Sequence, residues 1–116
     1  MTIERFEDIV AWQKARELSI AIYSHFRDCR DYGFKDQICR AAVSIMNNIA
    51  EGFERQTNNE FRQYLFIAKG SSGEVRSMLH LASDLNYIST SQYKQLHNNS
   101  TEIARMLSGF IKKLST

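Results

Sequence analysis

Apolar side chains recur at three- and four-residue spacing through four successive stretches of this chain, the period of helices that each bury one side. Ala11, Ala15, Leu18, Ile22, Phe26 and Cys29 share a stripe in the first stretch, and Ile38, Ala42, Ile45, Ile49 and Gly52 share one in the second. Phe61, Leu65, Ala68, Val75, Leu79 and Ala82 follow in the third, then Leu96, Ile103, Leu107, Phe110 and Leu114 in the fourth. Three polar breaks part them: Asp31-Tyr32-Gly33, whose glycine suits a left-handed helix stop, Gln56-Thr57-Asn58-Asn59, and Ser89-Thr90-Ser91. Thr57 with Glu60, and Ser89 with Gln92, have the spacing of capping boxes at helix starts. These signals predict helices over 6–29, 35–55, 58–88 and 91–114. Links so short make sequential helices antiparallel neighbours, so the expected fold is all-α, an up-down-up-down four-helix bundle occupying 1–116 as one domain.

The apolar positions exceed what one core can use. Ile9, Trp12, Ile20 and Tyr23 gather on a second side of the first helix, together with Arg5, Arg16 and Arg27. Val43, Met46, Ala50 and Phe53 broaden the arc of the second, and Tyr64, Ile67, Met78, Leu81 and Leu85 that of the third. A lone bundle would leave part of these arcs in water, which predicts self-association. Ile9, Trp12, Ile20, Tyr23, Val43 and Met46 are therefore the expected oligomer interface. Wider core coverage in a single bundle is the alternative.

Composition changes little in this picture. Of 116 residues 43% are apolar and 24% charged, the profile of an ordinary globular domain, and the absence of proline suits long helices. No apolar run approaches the roughly 18 residues of a membrane span, and the start has no signal-peptide layout, so a cytoplasmic protein without membrane partners is expected. Cys29 and Cys39 lack the spacing of a metal or redox pair and read as structural thiols, with a thiol nucleophile as the alternative. A net charge of +2 argues neither for nor against nucleic acid.

The polar residues on the helices are more informative. Gln37, Arg40, Ser44, Asn48 and Glu51 form one stripe on an otherwise apolar second helix. On the third, Gly70 and Ser71 allow close approach, and Glu74 sits between Ile67, Met78 and Leu81, where a carboxylate needs a partner such as Arg40 or Asn48. Read in order, Gln37-Ile38-Cys39-Arg40-Ala41-Ala42-Val43-Ser44-Ile45, Asn48-Ile49-Ala50-Glu51-Gly52 and Ala68-Lys69-Gly70-Ser71-Ser72-Gly73-Glu74 resemble the four-helix-bundle family encoded by 23S rRNA intervening sequences. Phe6-Glu7-Asp8-Ile9 and Trp12-Gln13-Lys14-Ala15 are similar to that family's start. The resemblance implies a homopentameric ring with no established enzymatic activity. A related branch, the accessory variability proteins of diversity-generating retroelements, is more basic and binds nucleic acid and a reverse transcriptase. The motif residues carried over are Gln37, Arg40, Ser44, Asn48, Glu51, Gly70, Ser71 and Glu74. They constitute either a buried polar network that fixes helix register or a polar lining at a ligand site or subunit boundary.

No catalytic constellation emerges, and neither a cofactor nor a metal is expected. There is no Glu-x-x-His for a bundle di-iron centre, and Arg76 to His80 is one residue short of the Arg-His spacing of HEPN-type ribonucleases. His25, His80 and His97 fall on separate helices with no nucleophile arranged beside them. The remaining candidate is electrostatic. Arg62, Lys69 and Arg76 recur every seven residues along the third helix, with Arg55 just ahead and His80 beyond, a stripe able to meet successive phosphates of RNA or DNA or else a solvated face. Arg5, Arg16 and Arg27 with Trp12 and Tyr23 suit an aromatic subunit interface or a single-strand stacking surface, and Ile9 and Ile20 favour the interface. The sequence thus points to a non-enzymatic, self-assembling bundle that binds nucleic acid, with a protein-interaction scaffold or accessory subunit as the alternative.

Overall fold

A computed structural model describes residues 3–115. After a 3-10 turn at Phe6–Asp8 the chain forms four helices: α1, Val10–His25; α2, Tyr32–Phe53; α3, Asn58–Asp84; and α4, Thr90–Leu114. They form a rod of 43 × 21 × 19 Å in which each helix lies beside its sequence neighbours and α4 closes against α1. Side-chain links show the antiparallel register. Gln37 meets Glu74 and Glu51 meets Tyr64 between α2 and α3, and His25 meets Gln92 while Lys14 meets Glu102 between α1 and α4.

The predicted stripes form the core. Leu18, Ile22, Phe26, Ile38, Ile45, Ile49, Leu65, Val75, Leu79, Leu96, Ile103 and Leu107 are fully buried, each excluding about 1.5–3 kcal/mol worth of apolar surface from water. In α4 the stripe runs on to buried Ile111, whereas Phe110 and Leu114 are half-buried. Gly52 permits the close crossing of α2 and α3, because a Cβ there would lie 2.6 Å from Tyr64 Cβ and 2.9 Å from Phe61 Cδ1. Gly70, expected to do this, faces open space.

Capping explains where the boundaries differ from expectation. Asp31 is the N-cap of α2 and accepts the Phe34 N–H at 3.2 Å, so the helix begins at Tyr32 and Gly33 lies inside its first turn instead of ending α1. The left-handed residue is Asn86, with φ of 60°. Tyr87 N–H reaches Ala82 O at 2.8 Å and Asn86 N–H reaches Ser83 O at 3.1 Å, a Schellman closure that ends α3 at Asp84, short of the predicted 88. Ser89 and Gln92 make the full reciprocal capping box of α4. Thr57 caps α3 through the Glu60 N–H, but its hydroxyl also donates to the Glu60 carboxylate, which therefore does not turn back to the backbone.

Candidate nucleic-acid interface and subunit groove

At about 100° per residue, Arg62, Lys69, Arg76 and His80 lie on the side of α3 that turns toward α4. Lys69 and His80 are exposed, while Arg62 and Arg76 are half-buried. None of the four forms an ion pair among the described residues, and the Arg62 Nε is buried without a partner. Arg55, predicted to extend this row, is held elsewhere. Its guanidinium donates to Glu51 at 3.1 Å and to the Tyr64 hydroxyl at 2.5 Å and covers the Tyr64 ring, so it belongs to the α2/α3 seam.

Arg76 is anchored by a buried link that the polar pattern of the sequence did not reveal. Ser72 and Ser100, both inaccessible to solvent, each donate a hydroxyl to the other's backbone carbonyl, at 3.0 and 3.1 Å. With both protons so used, Ser72 Oγ accepts from Arg76 Nη1 at 3.0 Å. Both serines interrupt buried apolar stripes at helical spacing, and that placement was the available signal. Next to Arg76, His80 joins Tyr93 and His97 of α4, with ring centroids 5.3–5.4 Å apart. The Tyr93 hydroxyl is hydrogen-bonded to His80 Nδ1 at 3.1 Å. Burial lowers the pKa of His97 below the ordinary imidazole value, and the positive charges of His80 and Arg76 lower it further.

On the opposite side of the bundle, α1 and α2 enclose a groove of about 730 Å³ that gathers Ile20, Tyr23, Val43 and Met46 with Arg16, Arg27 and Lys35. Ile20 is 61% exposed and Tyr23 54%. Ser19 also lines it and is buried, with a hydroxyl that has no partner among the described residues. Trp12 lines an adjoining hollow with Arg16 and Ile20, packs edge-on against Phe6 at 5.2 Å, and leaves its indole N–H buried and unpaired among the described residues. Ile9 does not join this surface. The backbone is extended there, just before α1, and the side chain is 3% exposed in the core. Arg5 is held by Asp8 near the chain start.

The polar stripe of α2 is not one buried network. It resolves into separate links to α3: Gln37 donates to Glu74 at 3.2 Å, Ser44 and Ser71 share a 2.9 Å hydrogen bond, and Glu51 contacts Arg55 and Tyr64. Asn48 turns back onto Ser44 of its own helix. Glu74 is exposed, partnered by Gln37 and by neither Arg40 nor Asn48. Arg40 points outward and pairs with Asp36 at 2.8 Å. Beside this seam, Ile67, Leu81 and Leu85 remain about half exposed on α3.

Burial raises the pKa of the Cys39 thiol, countered by Lys35 and assisted by Asp36, which suits a structural thiol. Among the described residues no three histidine, cysteine or carboxylate side chains could hold a metal ion, and no helix is long and apolar enough to cross a membrane. A family model for the 23S rRNA-intervening sequence protein matches residues 7–109. A solved structure from Bacteroides thetaiotaomicron, described as a protein with unknown function from the S23 ribosomal protein family, is 30% identical; the match covers 88% of this chain and 98% of that one, with a TM-score of 0.83. No curated protein matches this chain significantly.

Proposed function

The chain belongs to the 23S rRNA-intervening sequence protein family, and from that premise we propose a non-enzymatic protein that assembles through its apolar groove and binds the phosphate backbone of RNA or DNA along α3. The observation that carries the binding reading is the row Arg62, Lys69 and Arg76, three cations on one side of a helix without a carboxylate partner among the described residues. Glu102, the single carboxylate of α4, is drawn to Lys14 on the other flank, and Glu74 is drawn to Gln37. The α3/α4 face therefore carries an excess of positive charge along Arg62, Lys69 and Arg76, diluted at the His80 end by exposed Asp84. The name of the family and the ribosomal-protein family of the structural neighbour agree with RNA as the first polymer to try.

Assembly is supported by two separate apolar surfaces, the α1/α2 groove and the Ile67, Leu81 and Leu85 flank of α3. Two unlike surfaces suit a head-to-tail contact, which gives a ring where the rotation between copies closes, and the homopentamer implied by the family resemblance is such a ring. Repetition of the α3 row around it makes individually weak contacts multivalent. Light scattering at micromolar concentration should give about five times 13.5 kDa. Fluorescence anisotropy with a labelled 20-nucleotide RNA, and with DNA of equal length, should show binding at low salt that weakens steeply with salt and varies little with base sequence. Assembly without retention of either polymer would favour the scaffold reading, to which the same apolar surfaces give independent support.

A further inference from the structure

The basic row on α3 is accompanied by a second row one step around the helix. Phe66, Gly73 and His80 are also seven residues apart, so both rows run nearly parallel to the axis, over about 21 Å. Phe66 stands 52% exposed at one end and makes no ring contact among the described residues. The His80, Tyr93 and His97 rings stand at the other. Phe66 is set about 60–100° around α3 from Ile67, Leu81 and Leu85, on the side toward α4.

Between these aromatic ends the helix is bare. A Cβ at Gly70 would meet nothing within 4 Å, and one at Gly73 only the Arg76 Nη2 at 3.6 Å. Packing in the bundle requires neither glycine, although glycine is a poor helix former. The surface thus combines a line of cations, an exposed ring at each end, Phe66 and His80, the latter backed by half-buried Tyr93 and His97, and a shallow floor between them. A duplex presents phosphates to such a surface but keeps its bases stacked, whereas a single strand offers phosphates and unstacked bases together. The span is on the order of four nucleotides, the lower end of known single-strand sites.

Resting on the phosphate-binding reading, we infer that the α3/α4 face takes single-stranded RNA or DNA in preference to duplex, with phosphates along Arg62, Lys69 and Arg76 and bases against Phe66 and the His80/Tyr93/His97 cluster. Anisotropy titrations at low salt with a fluorescein-labelled 12-nucleotide oligouridine and a 12-base-pair duplex test this on the full chain. The single strand should bind at least about tenfold more tightly. Phe66→Ala and Gly73→Gln should each weaken single-strand binding about tenfold, while duplex affinity and oligomer mass stay unchanged. Gly73→Gln adds a better helix former at an open position, so retained helicity and melting temperature separate loss of the site from loss of the fold. Equal affinity for both polymers, with neither substitution having an effect, would overturn the stacking inference and leave the phosphate row standing. Failure to bind either polymer would remove the phosphate reading itself. A fall in mass on Gly73→Gln with binding unchanged would overturn the inference by making the bare strip a contact between copies.

Discussion

The α1/α2 groove and the α3/α4 face belong to one bundle and differ in what their side chains leave unmet. The groove and its adjoining hollow leave apolar surface in water at Ile20 and Tyr23 and buried polar atoms without partners among the described residues at Ser19 and Trp12. The α3/α4 face leaves charge unmet in a row, at Arg62, Lys69 and Arg76; the groove's Arg16, Arg27 and Lys35 also make no ion pair among the described residues, but there they rim an apolar patch. The difference follows the sequence: residues 1–57 hold eight basic and nine acidic side chains, and residues 58–116 hold seven and four. A net charge of +2 averages over a nearly neutral half and a basic half, so the two surfaces suit partners of different chemistry.

The hardest test of this division is Ile20→Asp. A carboxylate at an exposed site in the groove leaves the core intact but opposes its burial against another copy, so the mass should fall several-fold, toward 13.5 kDa, with helicity retained. Binding per subunit should survive while avidity falls. Unchanged mass would remove the groove from the assembly account.

Next in size are two substitutions at helix contacts, one between the halves and one inside the basic half. Gly52→Ala should lower stability by about 1–3 kcal/mol in thermal or urea unfolding, because its Cβ would collide with Tyr64 and Phe61 between α2 and α3. Ser72→Ala should cost about 1 kcal/mol by removing the buried hydroxyl that links α3 to the Ser100 carbonyl and hydroxyl, and it should also weaken nucleic-acid binding by freeing Arg76. If Ser72→Ala lowers stability and leaves binding untouched, the serine link serves the fold alone. Glu74→Leu should change stability by no more than about 0.5 kcal/mol, since the carboxylate is exposed and its partner is a single glutamine.

The smallest expected effect is on pH dependence. The folded pKa of His97 lies below its unfolded value of about 6.5, so the unfolded chain takes up this proton first as pH falls. Stability that is full above that value is lost as pH drops through it toward the folded pKa. Melting temperatures across this window should fall less steeply in His97→Gln than in the wild type; identical profiles would show that His97 does not contribute.

The core was legible in the sequence, because burial at three-four spacing is a direct consequence of helix geometry. Leu18, Ile45, Leu65 and Leu107 needed nothing more. Boundaries were less so, since Asp31 as a cap and Asn86 in the left-handed region act through backbone geometry that glycine and proline signal only indirectly. Projection around a helix puts Ile9 on the outer surface, but the chain is extended at that residue. Glu74 falls among apolar neighbours that are themselves half exposed or half-buried, because angular position alone does not say how far a partner helix reaches. The Ser72/Ser100 link was hidden because serine reads as polar surface even on a buried stripe.

The central claim, that assembly and phosphate binding reside on opposite sides of the bundle, is tested most directly by the salt dependence of RNA affinity in Arg62→Gln/Lys69→Gln/Arg76→Gln, with mass measured on the same sample. The account predicts an unchanged oligomer, weaker binding, and a slope of log affinity against log salt that is shallower by about one for each phosphate no longer neutralised. A slope equal to that of the wild type, or a mass that falls along with the affinity, would contradict it.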